Sequence, residues 1–541
     1  MSNKNNKYLV QGSILGVASI ISRFIGMLYR IPLTRIIGNE GMGTYSAAFE
    51  WYSLALLLSS YSIPLAVSKL VAAREINKEY KNSYNIFKTA MIISASVGAL
   101  MCAVVFFGAG VWAKIARYPS IEMPLKILAP TIFVMSIMGV LRGLFQGKRT
   151  MIPTAISQLL EQIINAGVSV GAAYLLMKEH NASAEITTYG AAGSTLGTLM
   201  GAIFGLMFLI FIFLLNRPIL KKRVHKDKSE NVERFGDAAK AILLTALPVI
   251  ISQTAFQITG VIDTNIWGIY ADKFNITDEL KKSMLGIYSG QYRLLTNVPV
   301  ALATALGTAI VPTLSALYAR NNVEEIKKKI THSIKFNMLI AFPSTVGLGV
   351  LAKPIIVMLF GNQGDVNLSA NAMRLGCVAV VCFALSTMSN GILQGIDKMK
   401  IPVRHAFISI AIHIPLLAVL LFVFHTGLYG LVISNVIFAL VICILNWIRI
   451  AKSLDYQQEV KKTFVYPLIA SLIMGAATIL VYTLVHAIIP SNTLSVIIAM
   501  GVAVVVYGVT ILLMKTMDED ELLEMPKGAM ILRIAKKFHL M

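Results

Sequence analysis

Between residues 11 and 515 the chain is a succession of apolar runs of about twenty residues or more, divided by short polar stretches. A helix of about 20 residues, rising about 1.5 Å per residue, crosses the roughly 30 Å hydrocarbon core of a bilayer. In lipid every backbone N–H and C=O must be bonded internally, which leaves helices and closed barrels, and runs this continuously apolar select helices. Only 14% of the 541 residues are charged and 56% are hydrophobic, against about a quarter charged in a soluble domain. The expected fold class is therefore an all-α polytopic membrane protein with about fourteen spans. They are read at roughly 11–36, 42–72, 84–112, 123–146, 153–177, 189–215, 239–270, 285–318, 331–352, 367–394, 402–424, 428–451, 463–488 and 494–515. Pro32, Pro64, Pro248, Pro299 and Pro312 fall inside spans and predict kinks. The first run is too long and too basic for a cleavable signal peptide.

The net charge of +21 would indicate nucleic acid if it were spread over one surface. It is not. With the N-terminus inside, inner segments and their adjoining span ends carry 33 of the 48 Lys and Arg, outer segments nine, and spans the remaining six. That asymmetry is a positive-inside signal placing both termini in the cytoplasm. It removes nucleic acid as a partner and makes the cell membrane the expected location. The polar stretch 216–237 follows six spans and reads as a linker. The expected organisation is an N-lobe (1–215), a cytoplasmic linker (216–238), a C-lobe (239–451), two additional spans (452–515) and a cytoplasmic tail (516–541). In that tail Ile531, Ile534, Ala535 and Phe538 alternate with Arg533, Lys536, Lys537 and His539, the pattern of a helix lying on an anionic leaflet.

The two lobes repeat one another. Ile63 and Pro64 match Val311 and Pro312, and Gly-Leu-Phe-Gln-Gly at 143–147 matches Gly-Ile-Leu-Gln-Gly at 391–395, both 248 residues apart. Gly-Thr-Tyr-Ser at 43–46 matches Gly-Ile-Tyr-Ser at 286–289, and Ile-Ile-Ser at 20–22 matches 250–252. Six spans per copy is an even number, so both copies share one orientation. They are then related by a pseudo-twofold along the membrane normal, with a site expected at their interface.

The first span is the unusual one. Residues 11–41, QGSILGVASIISRFIGMLYRIPLTRIIGNEG, carry Arg23, Arg30 and Arg35. A guanidinium at the bilayer centre costs about 2.5 kcal/mol or more, and Arg23 and Arg30, seven apart, share one helix face. Such a face is expected to line a watery cavity that receives an anion. Two forked guanidinia suit two phosphates. Arg293, about 12 Å into the eighth span at 1.5 Å per residue, is a third candidate, while Arg35 and Arg142 read as interface anchors. Glu50 and Asp263 are candidates either for a coupling ion, H⁺ or Na⁺, or for balancing the arginines; Glu161 reads as structural. Gln253 and Gln257, four apart, share a face suited either to sugar hydroxyls or to helix–helix amide bonds. No ATP-binding loop, metalloprotease helix or Cys-x-x-Cys pair occurs, so no catalytic or metal-binding residue is assigned and an enzyme is not expected. Cys102, Cys377, Cys382 and Cys443 all fall in apolar runs and read as small hydrophobes.

The opening GSILGVASIISRFIGMLYRIPLTRIIGNEGMGTYSAAFEWY, with YSIPLAVSKLVAAR and RGLFQGKRTMIP, resembles the polysaccharide-transport branch of the multidrug/oligosaccharidyl-lipid/polysaccharide exporter superfamily. Within that branch the chain is most similar to the stage V sporulation protein B group and to the lipid II flippases of Gram-positive bacteria. The resemblance covers nearly the whole chain, including the last two spans. It implies two six-helix lobes in a V, working by alternating access, and a lipid-linked glycan on an undecaprenyl pyrophosphate as cargo. Lipid II is the favoured cargo, and cell-wall synthesis or division proteins are the implied partners. Ser22, Arg23 and Gly26 match the family's Ser-Arg-x-x-Gly stretch, so a cavity role carries over to Arg23. It carries over less directly to Arg30, whose spacing is one residue longer, and Arg293 stands as the counterpart of a second-lobe arginine. An arginine those flippases carry further along the second span is missing. Three rival readings stay open: a flippase for a capsule or teichoic precursor, a drug/cation antiporter of the same fold, and a non-transporting envelope or division scaffold. An antiporter calls for a cavity dominated by carboxylates, whereas the first span offers arginines and no acid.

Overall fold

The structure is a computed structural model describing residues 2–227, 229, 232–523 and 528–537. All its elements are helical, with no strand among the described residues. Two compact units divide the chain between Gly290 and Gln291.

The first unit holds α1 (Ser2–Leu28), α2 (Arg30–Leu56), α3 (Ile63–Ile76), α4 (Tyr80–Ala116), α5 (Glu122–Gly147), α6 (Ile152–Glu179), α7 (Ile186–Lys226), α8 (Phe235–Lys273) and α9 (Asp278–Gly286). Residues 14–76 run as one helical stretch of 63 residues, more than twice what a bilayer needs. It is broken where the sequence requires. Pro32 has no N–H to offer the Leu28 carbonyl, and the α-helix lapses at Tyr29 between α1 and α2. Gly38, at φ 69° and ψ 179°, then turns the chain through a conformation other residues avoid. Ahead of Pro64, residues Leu57–Tyr61 widen into a π turn, again where a proline removes a donor.

The second unit holds α10 (Arg293–Ala319), α11 (Val323–Val350), α12 (Ala352–Phe360), α13 (Val366–Gly376), α14 (Ala379–Gly395), α15 (Lys400–Phe422), α16 (Leu428–Leu454), α17 (Tyr466–Ile488) and α18 (Asn492–Leu513). It closes with α19 (Glu519–Leu523) and α20 (Gly528–Lys537). Its core joins α10, α11, α14 and α16 through Leu314, Ile330, Met338, Ile392 and Ile450. A satellite cluster sets Met517 and Leu522, from the segment after α18, against Leu339 of α11 and Ala470 of α17.

Eleven described helical stretches are long and apolar enough to span, or twelve if α13 and α14, bent by 42°, count as one. Counted over the described residues, these stretches do not establish the expected fourteen. The first two expected spans lie in one stretch that turns at Gly38, and α8 covers the seventh expected span. The backbone of α20 covers 528–537, whereas Phe538 and His539 of the expected amphipathic tail lie outside the described residues.

The repeat reappears as geometry inside the first unit. A Cβ placed on Gly43 would collide with the backbone carbonyl of Lys282, and one placed on Gly286 with that of Asn39. Asn39 and Lys282 are separated by the same offset as Gly43 and Gly286, 243 residues. α2 and α9 therefore cross at repeat-equivalent points, each glycine making room for the other copy's backbone.

Candidate functional site

The lapse at Tyr29 places Arg30 at the start of α2. Its guanidinium carbon lies 5.8 Å from the ring centroid of Tyr45 and 5.6 Å from that of Phe49, rings that stack on each other at 5.6 Å. The hydroxyls of Tyr29 and Tyr45 lie 3.2 Å apart, within hydrogen-bond distance of each other. A cation over two aromatic faces is held by ring quadrupoles, which leave its charge available to an anion. Arg23, two turns earlier on α1, is exposed. Neither arginine makes an ion pair with a carboxylate among the described residues.

The acids of this unit are engaged elsewhere. Asp263 of α8 is 3% exposed and accepts a hydrogen bond of 3.0 Å from the Tyr288 hydroxyl. The Glu50 carboxylate lies against Gly260, where any Cβ would collide with it. Gln253, Gln257 and Gly260 follow one another at helical spacing on α8, so Glu50 rests on the face that carries both half-buried amides. Glu161 of α6 pairs with Arg142 at 2.8 Å, and Arg142 also donates 3.0 Å to the Ser157 hydroxyl. Arg142 is 9% exposed, which corrects its reading as an interface anchor. A carboxylate one helix away holds it inside the bundle, and the structural reading of Glu161 agrees with that pairing. Arg293 opens α10 in the second unit, directly after a π segment, and is half-buried; Arg35 is exposed.

The candidates also fall on the repeat, a regularity that no single motif displays. The 230-residue offset that matches residues 20–22 to 250–252 sets Gln253 at the position of Arg23 and Gly260 at that of Arg30. The 243-residue offset fixed by the glycine crossing sets Arg293 at the position of Glu50, and Tyr288 at that of Tyr45. One backbone position thus carries a cation in one copy and an amide, a glycine or an acid in the other. Laying the two copies over each other would have exposed these pairs from sequence alone.

Each end of the first unit is tied by charge. At the end assigned outside by the Lys and Arg distribution, the Lys281 amine reaches the Arg117 carbonyl at 2.9 Å, Asp278 at 3.0 Å and Asp272 at 3.3 Å. Lys282 reaches Asp278 at 2.8 Å and Glu40 at 3.5 Å. These contacts clamp the segment between α8 and α9 around the glycine crossing. At the opposite end Arg74 pairs with Glu233 at 2.6 Å and Lys148 with Glu75 at 2.9 Å. There Asp227 accepts from the amide of Lys81 at 2.7 Å, and from the amide and hydroxyl of Ser229 at 2.8 and 2.7 Å. Burial acts to raise the Asp227 pKa, but those hydrogen bonds to its charged form together outweigh it and bring it down to about 2.

The family model for polysaccharide biosynthesis proteins matches residues 9–318, and a MatE model matches 280–419. The lipid II flippase MurJ of Bacillus subtilis (strain 168) is 26% identical over 87% of this chain and 87% of its own. Stage V sporulation protein B of the same organism is 22% identical over 83% of this chain and 84% of its own. Among solved structures, an inward-facing multidrug resistance MATE family transporter of the MOP superfamily superposes with a TM-score of 0.65 at 15% identity, over 83% of this chain and 98% of that one. The lipid II flippase MurJ in an inward closed conformation superposes at 0.62 and 16% identity, over 93% of this chain and 98% of that one. The fold is thus that of the MOP superfamily, as the sequence motifs implied. With more than half its length matched by one family model, the chain belongs to the polysaccharide biosynthesis protein family and is a multi-pass membrane protein.

Proposed function

We propose that the protein is a flippase for a polyprenyl-pyrophosphate-linked sugar, with lipid II the favoured cargo, moving the headgroup from the inner to the outer leaflet by alternating access. The observation that carries this reading is the state of Arg23 and Arg30. They are two guanidinia on one span without a carboxylate partner among the described residues, while Asp263 and Glu161 are committed to Tyr288 and Arg142. A cation on a membrane span is costly unless a ligand of opposite sign completes it. A pyrophosphate supplies that sign, in a spacing two forked cations can grip. Arg293 adds a cation from the second repeat copy, Gln253 and Gln257 offer amides to sugar hydroxyls, and Glu50 and Asp263 serve a coupling ion or balance charge.

In this scheme both termini are cytoplasmic, and the inside-negative potential favours outward movement of an anionic head by about 2.3 kcal/mol per charge per 100 mV. The α2–α9 crossing and the lysine clusters around it form the outer closure, and they separate when the headgroup is released. Cell-wall synthesis or division proteins are the expected partners. The names and similarity of the relatives support the reading, and the cation-bearing first span favours it over a drug antiporter. The test is rescue of a bacterium lacking its lipid II flippase. Arg23→Ala and Arg293→Ala should abolish rescue at wild-type protein levels. Full rescue by both variants would remove the cationic mechanism.

A further inference from the structure

The second unit contains a cavity of about 580 Å³ that the flippase scheme does not use. Thr313 of α10 lies about 9 Å from that helix's end at 1.5 Å per residue, and Lys329 lies the same distance from the start of α11. Both line the cavity, so it opens near the end that the Lys and Arg distribution assigns to the cytoplasm. Its wall is apolar, built from Leu306, Ile310 and Phe336, with Met517 from the segment after α18. Its floor is basic, built from Lys329, His332 and Lys335.

Lys335 is the telling residue. It is 3% exposed, and a buried ammonium is tolerated only beside an anion. That anion comes from the C-terminal segment: Glu521 of α19 receives the Lys335 amine at 2.8 and 3.0 Å and lies 3.3 Å from His332 Nε2. A second carboxylate, Glu459, stands 3.7 Å from the same amine. The Asp518 amide donates to Glu521 Oε2 at 3.1 Å, aiming the carboxylate inward.

Two charged oxygens on a basic floor below an apolar wall reproduce the outline of a phosphate carried by a hydrocarbon chain. We propose that this pocket is a site for the phosphate head of a membrane lipid, and that Glu521 is a built-in competitor holding the site until a lipid displaces it. The lipid phosphate takes the place of the Glu521 carboxylate on Lys335 and His332, Lys329 adds a further cation, and the chain runs along Leu306, Ile310 and Phe336. Displacement frees α19, which links the lipid content of the inner leaflet to the docking of the C-terminal segment. This site stands whether or not the flippase assignment is right.

The experiment is equilibrium lipid binding to the detergent-solubilised full chain, read by native mass spectrometry. Its probes are phosphatidylglycerol, undecaprenyl pyrophosphate, diacylglycerol and inorganic phosphate. Glu521→Gln removes the competitor and should tighten binding of a phosphate-bearing lipid about tenfold, the order expected for a close charge pair. Lys335→Met alone strands Glu521, so the neutral pair Lys335→Met with Glu521→Gln is the informative loss. It should fold and bind at least tenfold more weakly than Glu521→Gln. Whichever phospholipid shows both responses identifies the source of the phosphate. Unchanged lipid binding in both variants, or inorganic phosphate binding as tightly as the lipids, would overturn the proposal.

Discussion

Alanine at Gly43 and at Gly286 should be destabilising, and the two effects should not add. In each case the new methyl meets a backbone carbonyl on the facing helix rather than the end of a flexible side chain, so the helices themselves must part. Overpacking of that kind costs about 1–3 kcal/mol, against a helix-propensity gain of roughly 0.5–1 kcal/mol for replacing glycine. Both substitutions pry open one crossing, so once the first has separated α2 from α9 the second meets less resistance. The double variant should therefore fall short of the sum of the singles by at least about 0.5 kcal/mol, the coupling expected of neighbours. Gly501, in the middle of α18 with no atom within 4 Å of its would-be Cβ, is the control; Gly501→Ala should be neutral or slightly stabilising. Reversible unfolding in mixed micelles gives all four numbers. If Gly43→Ala and Gly286→Ala behave like Gly501→Ala, or their effects add within about 0.3 kcal/mol, the symmetric crossing is not a real contact.

Arg142→Met should cost about 3–5 kcal/mol, because it leaves Glu161 without its cation, and adding Glu161→Gln should recover most of the loss; thermal unfolding of the three variants checks both halves. Asp227 has its folded pKa pulled below the usual 3.8, to about 2. The stability it contributes is present above about pH 4 and is lost as pH falls from there toward 2. Protease nicking of the 216–237 stretch should rise across that window in the wild type, and Asp227→Asn should be nicked equally at both ends of it. Gly38→Ala forces a side chain into φ 69°, ψ 179°, a region open to glycine almost alone, and should cost about 1–3 kcal/mol in the same unfolding assay.

The helical class and the family were legible in the sequence because apolar length and the motifs around residues 20–46 and 143–153 are local signals. The break that places Arg30 was legible in the same way, from Pro32. The span count was less secure. Apolar length marks where helix can lie, and the turn at Gly38 is short enough that the two expected spans on either side of it form one long stretch. Arg142 was misread because its partner, Glu161, lies on the next helix, and depth along a span says nothing of what faces a side chain. The pairing of Glu50 with the glycine face of α8 was hidden for the same reason. The pocket around Lys335 joins residues 186 positions apart, which no periodicity could have brought together.

The claim on which the account depends is that Arg23 and Arg30 grip a pyrophosphate that the protein carries across the membrane. The direct test is appearance of the lipid II headgroup on the far side of sealed proteoliposomes made with the wild-type chain, with Arg23→Ala/Arg30→Ala, and with both arginines replaced by lysine. A charged hydrogen bond is worth about 1.5–3 kcal/mol, so losing both should reduce headgroup affinity at least a hundredfold and abolish transport. Lysine, which keeps charge but not the fork, should restore only part of it. Transport by the double alanine variant at the wild-type rate would contradict the account.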